Sequence, residues 1–178
     1  LGNNTDYSAI YDASILAPVQ RIKYIDYKIY GYDIWTCYEL SWLNIKGKPI
    51  CAILTLFIPC DSKFIVESKS LKLYLNSFNN QSYDSAHTLK DKIKQDIENI
   101  VLSSIELSIN SLEEFDFISQ LPGANLDDLD IECKNYQPDD ALLKVEAGDY
   151  SDECHTHLFR SNSKVTNQPD YTSIYFKY

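Results

Sequence analysis

The densest cluster of polar residues in an otherwise apolar region is the segment from Glu67 to Tyr74, which reads ESKSLKLY. Charged side chains between two apolar segments must be paired or must contact a ligand, because burying an unpaired charge is costly. The Glu67 carboxylate could accept hydrogen bonds from the N–H groups of a polar ring, while Lys69 and Lys72 could bind phosphate. The alternative is a charged edge strand that prevents aggregation, and the pattern alone favours this alternative.

A second polar cluster runs from Arg160 to Tyr171. Ser163 and Asp170 are seven residues apart in it. A hydroxyl nucleophile and a carboxylic proton-transfer group could therefore converge there. The cluster contains no histidine that could act as the base. Spacing alone favours a polar turn that leads into a strand.

Potential metal ligands occur together at Cys154, His155 and His157. Two ligands from one short strand need partners elsewhere, and Cys133 and His87 are the only candidates among the soft ligands. We therefore expect these residues to be structural and expect no metal site. The sequence also lacks a G-x-G-x-x-G or P-loop motif, so a nucleotide would have to be bound without one.

The elements that position these clusters follow from residue types and periodicity. Aromatic, β-branched and other apolar residues predict strands over 32–44, 50–59, 64–66, 71–78, 104–110 and 172–178. Apolar residues at helical spacing predict one amphipathic helix over 87–101. Residues 1–31 lack a clear period, and residues 111–153 indicate loop with short elements. The pattern is typical of an α+β fold built on antiparallel sheet. If residues 71–78 and the cluster before them are extended, Lys69 and Lys72 lie on opposite faces.

The charge distribution excludes some partners. The 178 residues carry a net charge of −10, and residues 113–153 alone hold 13 acidic and 2 basic residues. No basic patch is visible, so we expect no nucleic-acid partner. No apolar run approaches the roughly 20 residues of a membrane-spanning helix. The acidic block is interrupted by Phe115, Phe117, Ile118 and Leu121, so it indicates a solvated, loop-rich face.

Cysteine use favours a reducing compartment, the cytoplasm. The five cysteines are an odd number without the spacing of a disulfide scaffold. Three of them, Cys37, Cys51 and Cys60, lie in apolar strands and are expected to pack in the core. The sequence opens without a signal peptide. It contains no methionine, even at position 1, so we expect a processed, trimmed or partial chain.

Several stretches together resemble one family, the NADPH-dependent 7-cyano-7-deazaguanine reductases of the queuosine pathway, in their long two-module form. They are residues 33–44, 46–49, 67–79 and 168–171, and the opening Tyr7, residues 11–16 and Arg21 fit as well. The ESKSLKLY stretch is a specific motif of that family. The resemblance covers essentially the whole chain, in order.

The resemblance implies a tunnelling fold (T-fold), in which helices back an antiparallel sheet, with two such modules per chain and subunits that associate as a homodimer. It implies reduction of a nitrile to a primary amine with two molecules of NADPH, as a step towards a modified tRNA nucleoside. In that family a cysteine thiolate attacks the nitrile carbon to form a covalent thioimide, and an aspartic acid supplies a proton. The implied partner is a small 7-deazaguanine, without a membrane and without direct contact to nucleic acid.

Matching positions assign roles to five residues of this chain. Val66, Glu67 and Ser68 would line the substrate, and Ser68 and Lys69 would contact NADPH. Asp170 matches the proton donor, since it stands in Gln-Pro-Asp before an aromatic residue.

The match departs from the family at the nucleophile. The family has Ser-Asn-Cys where this chain has Ser161, Asn162 and Ser163. A serine hydroxyl is far less acidic than a thiol and needs a general base. We therefore expect the chain to be inactive as a reductase. The alternative is a purine-binding or scaffold module of the same fold without catalysis.

The same match divides the chain. Residues 1–31 would be an N-terminal extension, and residues 32–153 a first T-fold module that includes the acidic region 113–153. Residues 154–178 would begin a second, catalytic module, which the sequence would leave incomplete. That is a second reason to expect no reductase activity from this chain.

Overall fold

The computed structural model describes residues 10–22, 28–114, 119–137, 139–148, 151–162 and 167–178. The chain forms two units, Leu1–Phe115 and Asp116–Tyr178. The described residues form antiparallel sheets, one short parallel pair and two α-helices. The α+β class and the antiparallel sheet predicted from the sequence are therefore confirmed.

The main sheet of the first unit has three antiparallel strands in the order β2–β3–β5. They are β2 (Tyr32–Leu43), β3 (Pro49–Pro59) and β5 (Glu106–Asn110). A turn joins β2 to β3, and Gly47 in it has a φ of +78°, which glycine adopts without strain. Five consecutive residues of the central strand β3, from Ala52 to Leu56, are buried. These three strands are confirmed.

A long helix, α2 (Ala86–Val101), lies where periodicity predicts it. The Ser85 side chain accepts a hydrogen bond of 3.2 Å from the Thr88 backbone N–H and so caps its first turn. Its predicted apolar face is buried and consists of Leu89, Ile93, Ile97 and Val101. The helix ends at Leu102, which has a left-handed conformation with a φ of 54°.

The shorter helix α1 (Ser68–Asn76) corrects the sequence prediction of an extended segment at 71–78. Its buried residues are Ser70, Leu71, Tyr74 and Leu75, a spacing that places them on one side of a helix. The leucines at 71, 73 and 75 suggest strand alternation, but Leu73 is only half-buried. Burial of the 70, 71, 74 and 75 face against the core therefore outweighs the alternating pattern.

A two-stranded sheet precedes α1. It pairs β1 (Pro18–Gln20) with β4 (Phe64–Val66), and Pro18 lies opposite Val66. The strand β1 and a 3₁₀ turn at Ala13–Ile15 lie in the opening segment, where the sequence indicated no element. The neighbouring Leu16 is buried in the core.

The second unit contains a sheet in the order β6–β7–β8. Its strands are β6 (Ala124–Asn125), β7 (Glu153–Asn162) and β8 (Pro169–Lys177). The final strand is confirmed, with an earlier start than the predicted residue 172. Gly123 precedes β6 with a φ of +81°, and a Cβ atom there would lie 2.3 Å from the Glu153 carbonyl oxygen. The described residues between β6 and β7 are nearly all exposed, which confirms the solvated, loop-rich acidic face.

The cysteines are less buried than expected. Cys51 is exposed and Cys60 is only half-buried, so the prediction of core cysteines is wrong for Cys51. Cys51 lies near the start of β3, where it pairs with Ser41 of β2. The buried residues of β3 begin only at the next position, Ala52. Cys37 packs against the core, and desolvation raises the pKa of its thiol to about 11. That thiol is therefore protonated at neutral pH and a poor nucleophile.

Candidate functional site

Four of the predicted site residues are consecutive, at the junction where β4 ends and α1 begins. Val66 is the last residue of β4 and is 2% exposed, which anchors the junction in the core. Glu67 is the N-cap of α1, and Ser68 and Lys69 are its first two residues. The backbone N–H of Glu67 donates to the Ala17 carbonyl at 2.9 Å, so the opening segment also holds the junction.

The Glu67 carboxylate caps the helix. Its Oε2 accepts a hydrogen bond of 2.6 Å from the Ser70 backbone N–H. This hydrogen bond lowers the pKa of Glu67 below its ordinary value, against a smaller opposing effect of burial. The side chain is therefore ionised at neutral pH. A carboxylate has about four acceptor positions, so it can still accept N–H groups of a ligand while it caps the helix.

The cationic residues of the ESKSLKLY segment share one side of α1. Ser68, Lys69 and Lys72 are all exposed, and residues three and four apart are neighbours on a helix surface. The expected separation of Lys69 and Lys72 onto opposite faces is therefore wrong. The Lys72 ammonium lies 3.7 Å from the Glu39 carboxylate on β2, with both side chains mostly exposed. A hydroxyl and two ammonium groups at one helix end suit a phosphate group.

The second predicted cluster lies in the other unit. Asp170 is in β8, exposed, with its Cα opposite that of Ser161 in β7. The prediction of a polar turn over this cluster is therefore wrong for residues 160–162, which end β7, and for residues 169–171, which begin β8. Ser163 lies outside the described residues.

The histidines of β7 are engaged in contacts within their own unit. The His155 ring nitrogen Nδ1 lies 2.9 Å from the Pro122 carbonyl, and His157 Nδ1 lies 2.7 Å from the Ser173 hydroxyl. Asp127 accepts from the Thr156 hydroxyl and the His157 backbone N–H, and these bonds lower its pKa. Within the described ranges, no group of three His, Cys, Asp or Glu side chains could hold a metal ion.

Sequence reasoning missed a buried polar cluster beneath α1. The Asp96 side chain of α2 is 7% exposed, and its Oδ2 accepts hydrogen bonds from the hydroxyls of Tyr11, at 2.6 Å, and Tyr74, at 2.7 Å. Its Oδ1 lies 3.2 Å from the Lys92 ammonium. Asp96 falls three residues after Ile93 on the apolar face of the helix. A charged residue on the apolar face of a helix is the signal that could have identified Asp96 from the sequence.

Among the described residues, no helix has the length and apolar character needed to cross a membrane.

Comparison with known proteins agrees with the family resemblance of the sequence. Residues 7–109 match the family model described as nitrile reductase, 7-cyano-7-deazaguanine-reductase N-term. A relative from Paraburkholderia phymatum is 40% identical over 189 residues, with 100% of this chain and 69% of the relative covered. Relatives from Rickettsia bellii and Rickettsia typhi are 43% and 42% identical, again over 100% of this chain and 68% of theirs. All three are named NADPH-dependent 7-cyano-7-deazaguanine reductase.

Proposed function

Since this chain belongs to the 7-cyano-7-deazaguanine reductase family of NADPH-dependent oxidoreductases, we propose that it binds 7-cyano-7-deazaguanine and NADPH for the reduction of the nitrile to a primary amine. The overall change consumes two NADPH and two protons for each nitrile and yields 7-aminomethyl-7-deazaguanine and two NADP⁺. The product is a precursor of the modified tRNA nucleoside queuosine.

The observation that carries this proposal is the ionised, half-buried Glu67 carboxylate at the β4–α1 junction. It offers acceptors to the ring N–H groups of a deazaguanine, which has several such donors. The buried Val66 lies directly before it, and the Ser68 hydroxyl directly after it. We assign these three residues to substrate binding, as their order in the family motif implies.

The residues present also fit the cofactor. Ser68 and Lys69 offer a hydroxyl and an ammonium group on the exposed first turn of α1, and both group types bind phosphate. When bound, NADPH supplies hydride. The chain's own contribution is to hold the phosphates at this turn beside the base bound at Glu67.

Ser163 determines what chemistry the chain can perform. We assign it to the nucleophile position and Asp170 to proton transfer, on the basis of their places in the family motif. A cysteine there adds its S–H across the C≡N bond, so that sulfur bonds to carbon and nitrogen gains the proton. A serine hydroxyl has no comparable acidity. We therefore propose that the chain retains binding and that its turnover through a covalent adduct is very slow.

The finer fold and the assembly belong to the same proposal. The T-fold, the division into modules at 32–153 and 154–178, a cytoplasmic location and a homodimer are what membership of the long family form suggests. The three-stranded antiparallel sheet β2–β3–β5 with two helices in its unit supports the first of these.

Substitution of Ser163 by cysteine, in a chain that extends through the complete second module, tests this proposal. The Ser163→Cys variant should gain the mass of one 7-cyano-7-deazaguanine in intact-protein mass spectrometry and should oxidise NADPH. A second variant that adds Asp170→Asn should still form the adduct but turn over about 10²–10⁴-fold more slowly. Asp128→Asn in the same Ser163→Cys background, at an exposed position of the same unit, is the matched control and should keep the turnover of Ser163→Cys.

Two results would contradict parts of the proposal. If Ser163→Cys binds substrate and NADPH but forms no adduct, the assignment of the nucleophile is wrong and the chain is a binding module. If neither the original chain nor the variant binds the base, the proposed function is wrong.

A further inference from the structure

The opening segment of the described chain is hydrogen-bonded to the first turn of α1. We call residues 10–20 the N-terminal strap. Ala17 of the strap contacts both residues of the helix cap: its carbonyl accepts the Glu67 N–H at 2.9 Å, and its own N–H donates to the Ser70 hydroxyl at 3.0 Å. The Ser70 hydroxyl in turn donates to the Glu67 carbonyl at 2.7 Å. The position of the Glu67 backbone therefore depends on where the strap lies.

The other end of the strap is fixed on a buried carboxylate. The Tyr11 hydroxyl donates to Oδ2 of Asp96 at 2.6 Å, and the Tyr74 hydroxyl of α1 donates to the same oxygen at 2.7 Å. Asp96 thus joins the strap, α1 and α2 at one atom. The Tyr11 ring packs against Phe78 with centroids 5.1 Å apart, and the Lys92 ammonium lies 4.9 Å from the Tyr11 ring centroid.

The strap is held at several points, because Pro18–Gln20 pairs with β4 and the Asp12 N–H donates to the Ser77 hydroxyl at 3.4 Å. Two further contacts act as anchors for the cap of α1. One anchor, at Ala17, contacts the cap that presents Glu67, and the other, at Tyr11, contacts the core. The strap between them has a 3₁₀ turn at Ala13–Ile15 and the buried Leu16, so it has little conformational freedom. Loss of the Tyr11 anchor should therefore change the position of Ala17 and, through it, that of Glu67.

We propose that Tyr11, through its hydrogen bond to Asp96, is a positioning residue for the Glu67 carboxylate and so for recognition of the deazaguanine base. The proposal rests on the proposed function, which assigns Glu67 to the substrate. Tyr11 itself does not contact the ligand. Its effect on binding passes through the strap and the helix cap.

The substitution Tyr11→Phe isolates the anchor, because it keeps the ring contacts and removes only the hydroxyl. The matched control is Tyr83→Phe, which changes a half-buried ring that also packs against Phe78, at 6.0 Å. Among the described residues, the hydrogen bonds of Asp96 come from Tyr11, Tyr74 and Lys92 and none from Tyr83. Both variants lose one hydroxyl from the same aromatic cluster, but only Tyr11→Phe removes a hydrogen bond of Asp96.

Two readouts separate positioning from stability. Amide hydrogen exchange at Ser70 reports the cap bond to Glu67, and calorimetry reports the dissociation constant for 7-cyano-7-deazaguanine. We expect Tyr11→Phe to speed Ser70 exchange and to weaken base binding by about threefold or more. That is the size of effect expected between residues coupled through one hydrogen-bond network. Tyr83→Phe should change neither. In a Glu67→Gln background, Tyr11→Phe should weaken binding no further.

The outcomes that overturn the inference differ from those that overturn the proposed function. Unchanged Ser70 exchange in Tyr11→Phe, or the same loss of affinity with and without Glu67, would show that Tyr11 does not act through the cap. A Glu67→Gln variant with full affinity would instead remove Glu67 from the binding site. In that case Ser70 exchange still decides whether Tyr11 positions the cap.

Discussion

The Glu67 carboxylate is held 2.6 Å from the Ser70 backbone N–H, so the side chain that begins helix α1 is the same one that we assign to the substrate. A ligand that binds there meets a carboxylate whose rotamer is already fixed. Less side-chain entropy is then lost on binding than with a free glutamate. The cap bond is therefore a form of pre-organisation.

Glu67→Gln should weaken binding of 7-cyano-7-deazaguanine by about tenfold or more. A hydrogen bond to a charged acceptor contributes about 1.5–3 kcal/mol, and each 1.4 kcal/mol is a factor of ten in the dissociation constant. Titration calorimetry measures the change. Glu106→Gln, which neutralises an exposed glutamate on β5, is the matched control and should bind normally. Equal affinity of Glu67→Gln and the original chain would leave Glu67 a purely structural cap.

The cap should also make stability depend on pH. The pKa of Glu67 is lowered in the folded chain, so its contribution is fully present above its ordinary value of 4.5. This contribution is lost as pH falls from there through the lower folded pKa. At pH 7, Glu67→Gln should therefore lower the free energy of unfolding by roughly 0.5–1 kcal/mol. Urea unfolding at several pH values should show this difference shrinking below pH 4.5; a constant difference would argue against an ionised cap.

Lys69→Ala should weaken NADPH binding by about tenfold, because it removes a charge-assisted contact to phosphate. Lys72→Ala should weaken it less, since Lys72 lies one turn further along the same face and beside Glu39. NADPH fluorescence titrations measure both. Lys46→Ala, an exposed lysine in the β2–β3 turn, controls for net charge. If Lys46→Ala and Lys69→Ala lose affinity equally, Lys69 makes no specific contact.

Asp96→Ala should lower the free energy of unfolding by about 2 kcal/mol or more. It leaves the Tyr11 and Tyr74 hydroxyls without their acceptor, and each buried unsatisfied donor costs roughly 1–3 kcal/mol. Chemical denaturation followed by circular dichroism measures the loss. Asp91→Ala removes an exposed aspartate from the same helix, so it should cost far less. Similar losses in the two variants would mean that the buried cluster adds little stability.

Sequence reasoning succeeded where one physical signal dominated. The apolar face of α2 has a single helical period and is buried as that period predicts. The aromatic and β-branched runs predict the strands β2 and β3, of which β3 is largely buried and β2 is buried only at Leu40 and Trp42. The segment of α1 carries two signals, because leucines at 71, 73 and 75 alternate while 70, 71, 74 and 75 face the core. Only contacts with distant elements could decide between them. Glutamate is also not among the strongly preferred N-cap residues, so Glu67 gave no start signal.

The candidate site was predicted in part for the same reason. The family motif places Val66, Glu67, Ser68 and Lys69 next to one another in sequence, and they remain together in space. The contacts that hold them, Ala17 with Glu67 and Tyr11 with Asp96, join residues 50 and 85 positions apart. No local pattern contains such pairs.

Gly123 gives the surface of the second unit an unusual restriction on sequence. The residue is exposed, so exposure alone suggests that any amino acid would be accepted there. Its positive φ and the Glu153 carbonyl beside it forbid a side chain all the same. A library that varies every residue should therefore keep only glycine at 123, while the exposed Ala124 next to it varies freely. At this edge, the space available beside the backbone therefore decides which substitutions are tolerated, and the solvent exposure of the residue does not.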